Sequence, residues 1–205
     1  MKIVLNNAGK RFNREWIFRN LSYQFSANNS YAITGPNGSG KSTLLQVLSA
    51  SLILNEGSCD WFWHDENINH ENVHEHVSFA APYLELIEEM TATEFLKFHS
   101  TFKKFINNIS VENILDTVEL SSAAKKQIRF YSSGMKQRLK LAQTIFSDVP
   151  FVLLDEPCTN LDKAGFDLYY ELIETFCRNR LLIVSSNDVN EYKVCNQQIN
   201  IQKFK

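Results

Sequence analysis

Residues 35–43, Gly-Pro-Asn-Gly-Ser-Gly-Lys-Ser-Thr, constrain this chain more than any other stretch. They fit the pattern of a phosphate-binding loop: glycine, four residues, then Gly-Lys-Ser/Thr. The pattern carries meaning only between a strand and a helix, and both are predicted here. Tyr31-Ala32-Ile33-Thr34 has the length and composition of a buried strand, and Thr43-Leu44-Leu45-Gln46-Val47-Leu48 reads as a helix. Gly35, Gly38 and Gly40 let the backbone bend towards a polyphosphate with no Cβ in the way. The amides from Asn37 through Gly38, Ser39, Gly40 and Lys41 to Ser42 and Thr43 would then form an anion nest at a helix N-terminus. Lys41 offers a mobile cation to the β- and γ-phosphates, and the Ser42 hydroxyl is placed to ligate Mg²⁺. The loop therefore implies a nucleoside triphosphate.

Bulk properties narrow the rest. With 205 residues, 44% of them hydrophobic, the chain can bury one core, or a core carrying an inserted lobe. A net charge of −2 supplies no global attraction to nucleic acid. The longest apolar runs, residues 151–154 and 181–184, have strand length and fall far short of a membrane span. No basic-then-apolar leader follows Met1, and Cys59, Cys158, Cys177 and Cys195 form no Cys-x-x-Cys pair, so the cytoplasm is the expected compartment.

Along the chain, Ile3 to Leu5 starts a strand, residues 6–11 read as a turn, and residues 12–25 alternate loosely, as in an edge hairpin. Residues 55–58 read as a second turn before a bulky strand over 59–64. His70, His74 and His76 lie within seven residues, but nothing beside them completes a tetrahedral metal set, so a solvated loop is expected. A strand over 77–81 closes at Pro82. Thr91 to Glu94 resembles a capping box, and Phe95, Leu96, Phe98, Phe102 and Phe105 predict one broad apolar helix face. A second helix over 111–120 makes residues 84–130 a helical lobe interrupting an alternating β/α chain. A third helix opens at Tyr131-Ser132-Ser133-Gly134-Met135, a helix over 163–178 precedes the strand 181–185, and a weak strand is expected near 198–201.

Phe151-Val152-Leu153-Leu154-Asp155-Glu156 is a buried strand ending in two carboxylates, at the edge where parallel α/β sheets bind ligands. Asp155 there can hold Mg²⁺ opposite Ser42, and Glu156 can orient an attacking water. With these residues in place the chain resembles an ATP-binding-cassette (ABC) ATPase, the motor subunit of ABC transporters, over nearly its whole length. Residues 35–43 match the family's Walker A, residues 151–156 its Walker B with the catalytic glutamate, and residues 131–135 its LSGGQ signature. Asn160-Leu161-Asp162 matches the D-loop, and Phe12 occupies the place of the adenine-stacking aromatic.

The resemblance implies a P-loop (RecA-like) α/β core, residues 1–83 and 131–205, with an antiparallel β subdomain and a helical lobe at 84–130. It also implies a head-to-tail dimer in which Ser132, Gly134 and Asp162 complete the ATP site of a second ABC subunit. Tyr131 and Ser133 depart from the signature's first and third residues, while Ser132 and Gly134 keep the positions that contact the γ-phosphate, and two further departures matter more. Pro82 stands where a glutamine approaches metal and water, and Asn187 stands where a histidine contacts the γ-phosphate. Proline has no side-chain donor, and asparagine can donate a hydrogen bond but cannot become a cation. Slow rather than absent hydrolysis is therefore expected, with Glu156, Lys41 and Asn187 as the catalytic set. The implied partner is a separate membrane permease docked on the helical lobe, which would hold the chain on the inner face of the cell membrane. The short chain resembles the ATPase of the cytochrome c maturation haem exporter and leans towards export. An ATP-gated switch with little turnover is the alternative that Pro82 and Asn187 favour.

Overall fold

The computed structural model describes residues 1–27 and 29–205. The first half contains β1 (Lys2–Phe12), β2 (Glu15–Ser26), β3 (Ser30–Thr34), α1 (Lys41–Leu48), β4 (Glu56–Trp63), β5 (Glu66–Ile68), α2 (Val73–His76) and β6 (Val77–Ala80). The second contains α3 (Ala92–Ser100), α4 (Val111–Thr117), α5 (Ser133–Phe146), β7 (Phe151–Asp155), α6 (Lys163–Phe176), β8 (Leu181–Ser185), α7 (Val189–Tyr192) and β9 (Gln197–Asn200).

The strands form two sheets. One is antiparallel, in the order β2-β1-β4-β5; the other is parallel, in the order β6-β7-β8-β3-β9. Parallel strands covered on both faces need apolar side chains on both, and the period of two divides them between two cores. Phe151 and Leu153 point into a cluster with Ile33, Leu44, Leu48 and Trp61, so α1 is held between the two sheets. Val152 and Leu154 point the other way, into a cluster with Leu141 and Ile145 of α5, Leu172 of α6, and Leu96 and Ile114 of α3 and α4. Trp61 ties the layers together by donating its indole N–H to Leu48 O at 2.8 Å, closing the last turn of α1. This is the expected P-loop α/β fold with an antiparallel sheet.

Local departures have physical causes. Residues 6–11, read as a turn, lie inside β1. The pairing register shifts between Leu5 and Ala8, Asn7 takes a φ of 47°, and Ala8 is buried. The polar run thus marks a bulge, which uses the same residues as a turn without ending the strand. Opposite it, β4 starts inside the second expected turn. A Cβ on Gly57 would sit 2.3 Å from the carbonyl oxygens of both Asn6 and Asn7, so only glycine admits the bulge there. The histidine-rich stretch forms a 3₁₀ turn and then α2 rather than a loop, with His74 Nδ1 2.7 Å from Glu71 O. Among the described residues no group of three or more potential metal ligands exists, and no helix is long and apolar enough to cross a membrane.

The capping box is present: Thr91 Oγ1 accepts from Glu94 N–H at 3.2 Å, and Glu94 accepts from Thr91 N–H at 2.8 Å. The apolar face behind it is narrower than its phenylalanines predict. Phe95, Leu96 and Phe105 are buried, whereas Phe98 is 43% and Phe102 73% exposed. At 100° per residue, position 99 lies between 95 and 96 on the helix, so His99 takes the inward position instead. Its Nε2 lies 2.8 Å from Ser147 Oγ, while Gln143 Nε2 approaches its Nδ1 at 3.1 Å. Because the Ser147 hydroxyl donates to Gln143 O, the ring donates through Nε2 and accepts through Nδ1, which is the neutral form. Burial, reinforced by the Lys103 charge, lowers the His99 pKa to about 4.

A histidine with a depressed folded pKa contributes stability above the unfolded value of about 6.5 that is lost as pH falls towards the folded one. Thermal unfolding followed by circular dichroism should therefore show the melting temperature dropping between pH 6.5 and 4. His99→Gln, which keeps donor and acceptor but cannot titrate, should flatten that slope; an unchanged slope would refute the assignment.

Candidate functional site

The loop 35–40 has the conformation its glycines suggest. Gly35, Gly38 and Gly40 take φ values of 149°, 74° and 102°. A Cβ on Gly40 would meet Ile17 Cγ2 at 2.3 Å, and one on Gly35 would meet Ser39 Oγ at 2.7 Å; Gly38 faces open space. The helix that follows has no side-chain cap and no acidic residue in its first turn. Its free amides and the positive end of its dipole are thus left for an external anion. Lys41 is buried and donates to Gly35 O at 3.0 Å and Pro36 O at 3.3 Å. Among the described residues it forms no ion pair, so an incoming phosphate finds a cation held only by carbonyls.

The cavity over this loop, about 210 Å³, is lined by Asn37, Gly38, Gly40, Lys41, Ser42, Thr43, Ile17 and Glu156. Ser39 stays beneath the loop, with its N–H on Pro36 O at 3.1 Å and its hydroxyl buried with no partner among the described residues. Asp155 ends β7 with only 2% of its surface exposed, and its Oδ1 has no hydrogen-bond partner among the described residues. Burial pushes its carboxyl up, while the hydroxyls of Ser42 and Ser185 and the charge of Lys41 oppose the shift. A buried, unpartnered carboxylate oxygen with a serine hydroxyl nearby is the oxygen donor set that Mg²⁺ takes. The residues present fit that ion.

Glu156 adopts φ 44°, unusual for a residue with a side chain, and its N–H donates to Ser185 O at 2.8 Å. That turn carries its carboxylate off the strand and into the cavity wall. Asn187 joins from the end of β8: its Nδ2 donates to Asn37 Oδ1 at 2.9 Å, on the rim of the loop. Phe12 ends β1, 47% exposed under the Lys10 ammonium, and does not line the cavity.

Ser132, Gly134 and Asp162 gather elsewhere, and none of them lines the cavity. Ser132 caps α5 by accepting from Met135 N–H at 3.2 Å. A Cβ on Gly134 would lie 3.1 Å from Asn160 O, so the start of α5 rests on the loop that ends at Asp162. Asp162 caps α6 through Gly165 N–H at 2.9 Å and lies 3.9 Å from the Arg138 guanidinium.

Several supporting residues escaped the sequence reading. Buried Glu191 accepts from Cys158 N–H at 2.8 Å and from the Ser186 hydroxyl, bracing the segments that carry Glu156 and Asn187. Gln137 donates to Pro157 O at 2.6 Å, tying α5 to the end of β7. Lys140 donates to Pro82 O at 2.8 Å. Glu191 and Gln137 are single polar residues in helices, with no local signal to separate them from solvated ones.

The geometry has parallels among known proteins. The sequence profile described as ABC transporter matches residues 18–159. The Bacillus subtilis ABC transporter ATP-binding protein YybJ is 30% identical over 90% of this chain and 85% of its own length. The cytochrome c biogenesis ATP-binding export protein CcmA of Xylella fastidiosa is 31% identical over 75% of this chain and 68% of its own. Some relatives are longer: the match spans 64% of Bacillus subtilis YxlF, at 29% identity over 93% of this chain. Among solved structures, a putative ABC transporter ATP-binding protein from Pyrococcus furiosus superposes with a TM-score of 0.83, at 20% identity over 100% of both chains. A dimeric ATP-binding cassette bound to ADP and Pi gives 0.83 at 21% identity, over 97% of this chain and 94% of its own.

A carboxyl whose folded pKa is raised costs stability as pH climbs above its unfolded value of about 3.9. Asp155→Asn should therefore raise the melting temperature of the nucleotide-free protein at pH 7, with the gain shrinking towards pH 4. The same variant should lose Mg²⁺-dependent nucleotide binding. A variant melting at or below wild type at pH 7 would contradict the upward shift of this carboxyl.

Proposed function

The chain belongs to the ABC transporter family as an ATP-binding subunit and ATPase, and on that premise we propose that it hydrolyses MgATP in the Walker A cavity to drive a separate membrane permease outward. One observation carries the reading: Lys41, Ser42 and Glu156 line a single cavity, at the sheet edge where Asp155 keeps an unpartnered oxygen. Lys41 exchanges its loop carbonyls for the β- and γ-phosphates. Ser42 and Asp155 would hold Mg²⁺, which when bound would supply neutralisation of the charge developing on the phosphates. Glu156 accepts a proton or hydrogen bond from the attacking water, and Asn187 donates from the rim.

A cavity of about 210 Å³ is small beside the roughly 300–1,000 Å³ of typical ligand clefts. A half-site supports ATP-dependent dimerisation, in which Ser132, Gly134 and Asp162 face the nucleotide of a second copy or a related cassette. The permease would dock on the lobe 84–130, where Phe98 and Phe102 pack edge to face in the open with ring centroids 5.1 Å apart. That contact would place the subunit on the cytoplasmic face of the membrane. The export direction draws on the name of the CcmA relative. Phe12 stacking on the adenine belongs to the same proposal, in a conformation with nucleotide bound.

A second reading, an ATP-gated switch with little turnover, rests on Pro82 and on the uncharged Asn187. Two variants separate them. Glu156→Gln should cut steady-state ATP hydrolysis by about 10²-fold or more, yet dimerise in ATP by light scattering. If wild type binds ATP without measurable turnover, the switch reading holds. Asn187→His should speed single-turnover hydrolysis by about 10–100-fold, less than the 10²–10³ that deleting a donor outright costs. Equal rates would mean that Asn187 limits nothing.

A further inference from the structure

β6 is an edge strand of the parallel sheet, and a cavity of about 230 Å³ borders it that shares no lining residue with the Walker A cavity. Ser78 of β6, Gln143 of α5, and His99 and Lys103 of the lobe line it. Successive side chains of a strand face opposite ways. Val77 and Phe79 join the cluster around α1, and Ala80 joins the cluster with α5, so Ser78 turns its hydroxyl towards α5. Ser78 is only 3% exposed, and its Oγ has no hydrogen-bond partner among the described residues. Lys103, just after α3, donates to Val77 O at 2.5 Å. Among the described residues its ammonium makes no other hydrogen bond and no ion pair. Burial accordingly lowers its pKa. His99 brings no countercharge, because its neutral ring is engaged at both nitrogens. No aspartate or glutamate among the described residues lines the cavity.

We propose that this cavity binds a small monocarboxylate, one oxygen accepting from the Lys103 ammonium and the other from the Ser78 hydroxyl. An ammonium carries three donors, and Val77 O takes one of them. Ser78 holds one donor more, with nothing yet to receive it. A cation withdrawn from water without a counter-charge is unfavourable, and an anion seated beside it relieves that state. Charge then selects the class of ligand. One ammonium neutralises a monoanion, whereas a phosphate dianion would bring an uncompensated negative charge into a half-closed site. Two donors on different walls also match the two oxygens of a carboxylate. The volume lies below the roughly 300–1,000 Å³ of clefts for larger ligands. The donors belong to different parts of the fold. Ser78 sits on the strand paired with β7, which ends at Asp155, and Lys103 belongs to the helical lobe. A bound carboxylate would therefore bridge the lobe to the sheet that carries the nucleotide edge.

The test follows the His99 ring by nuclear magnetic resonance while sodium acetate is added to the nucleotide-free protein at neutral pH. Sodium chloride holds the ionic strength constant, and His99→Gln identifies the resonance. Acetate should shift it saturably and raise the melting temperature of wild type. Lys103→Met should weaken acetate binding by about tenfold or more, the loss expected for a hydrogen bond to a charged group. Ser78→Ala should weaken it several-fold with the melting temperature kept. A shift that stays linear in acetate would overturn the site. So would an equal saturable shift in Lys103→Met, which would seat the anion elsewhere, for instance at the phosphate loop. Inorganic phosphate binding more tightly than acetate at this reporter would overturn the carboxylate assignment. If Lys103→Met does not fold, Ser78→Ala decides, and an unchanged acetate affinity there overturns the site.

Discussion

Backbone amides can reach a polyphosphate only where no Cβ intervenes, and this fold is arranged to hold one such stretch still. Gly40 is pressed against Ile17 from the antiparallel sheet, close enough that any added carbon would overlap it. Behind the loop, α1 lies between the two sheets, its end closed by the Trp61 indole. The loop is therefore clamped by tertiary packing on one side and open to solvent on the other. Among the described residues no side chain caps the first turn of α1, which leaves that end of the helix to an anion.

The same edge concentrates groups that a stability-optimised protein would pair. Among the described residues Asp155 Oδ1, Ser39 Oγ and Ser185 Oγ are buried without a hydrogen-bond partner, and Lys41 leans on two carbonyls. Each orphaned polar group costs on the order of 1–3 kcal/mol, and Glu156 adds the strain of a positive φ. A metal–phosphate ligand would satisfy several of them together, so nucleotide and metal should act as structural components of the edge. Glu191 and Gln137, by contrast, are hydrogen-bonded to neighbouring segments. They fix the segments flanking Glu156 and Asn187, and so set where the reactive side chains can point.

Much of this was legible in the chain. The P-loop, the carboxylates ending β7, the capping box at Thr91 and the buried strands depend on residues within one turn or one strand of each other, and short-range patterns report them faithfully. What escaped depends on pairs distant in sequence. The bulge in β1 reads as a turn until Gly57 opposes it. Phe98 and Phe102 read as core until His99 finds Ser147 and Gln143, more than forty residues away. Tyr83 is one aromatic among many until Gln46 meets its hydroxyl.

By itself, the sequence determined that the chain carries a phosphate loop and a pair of acidic residues on a parallel α/β core, because glycine placement and apolar periodicity are local. Only the tertiary structure decided which groups meet: Asn187 on Asn37, Gly134 on Asn160, and Ile17 beneath Gly40. Chain connectivity brings residues to the same sheet edge, but close packing chooses the atoms that touch, and that choice is made by the whole core at once.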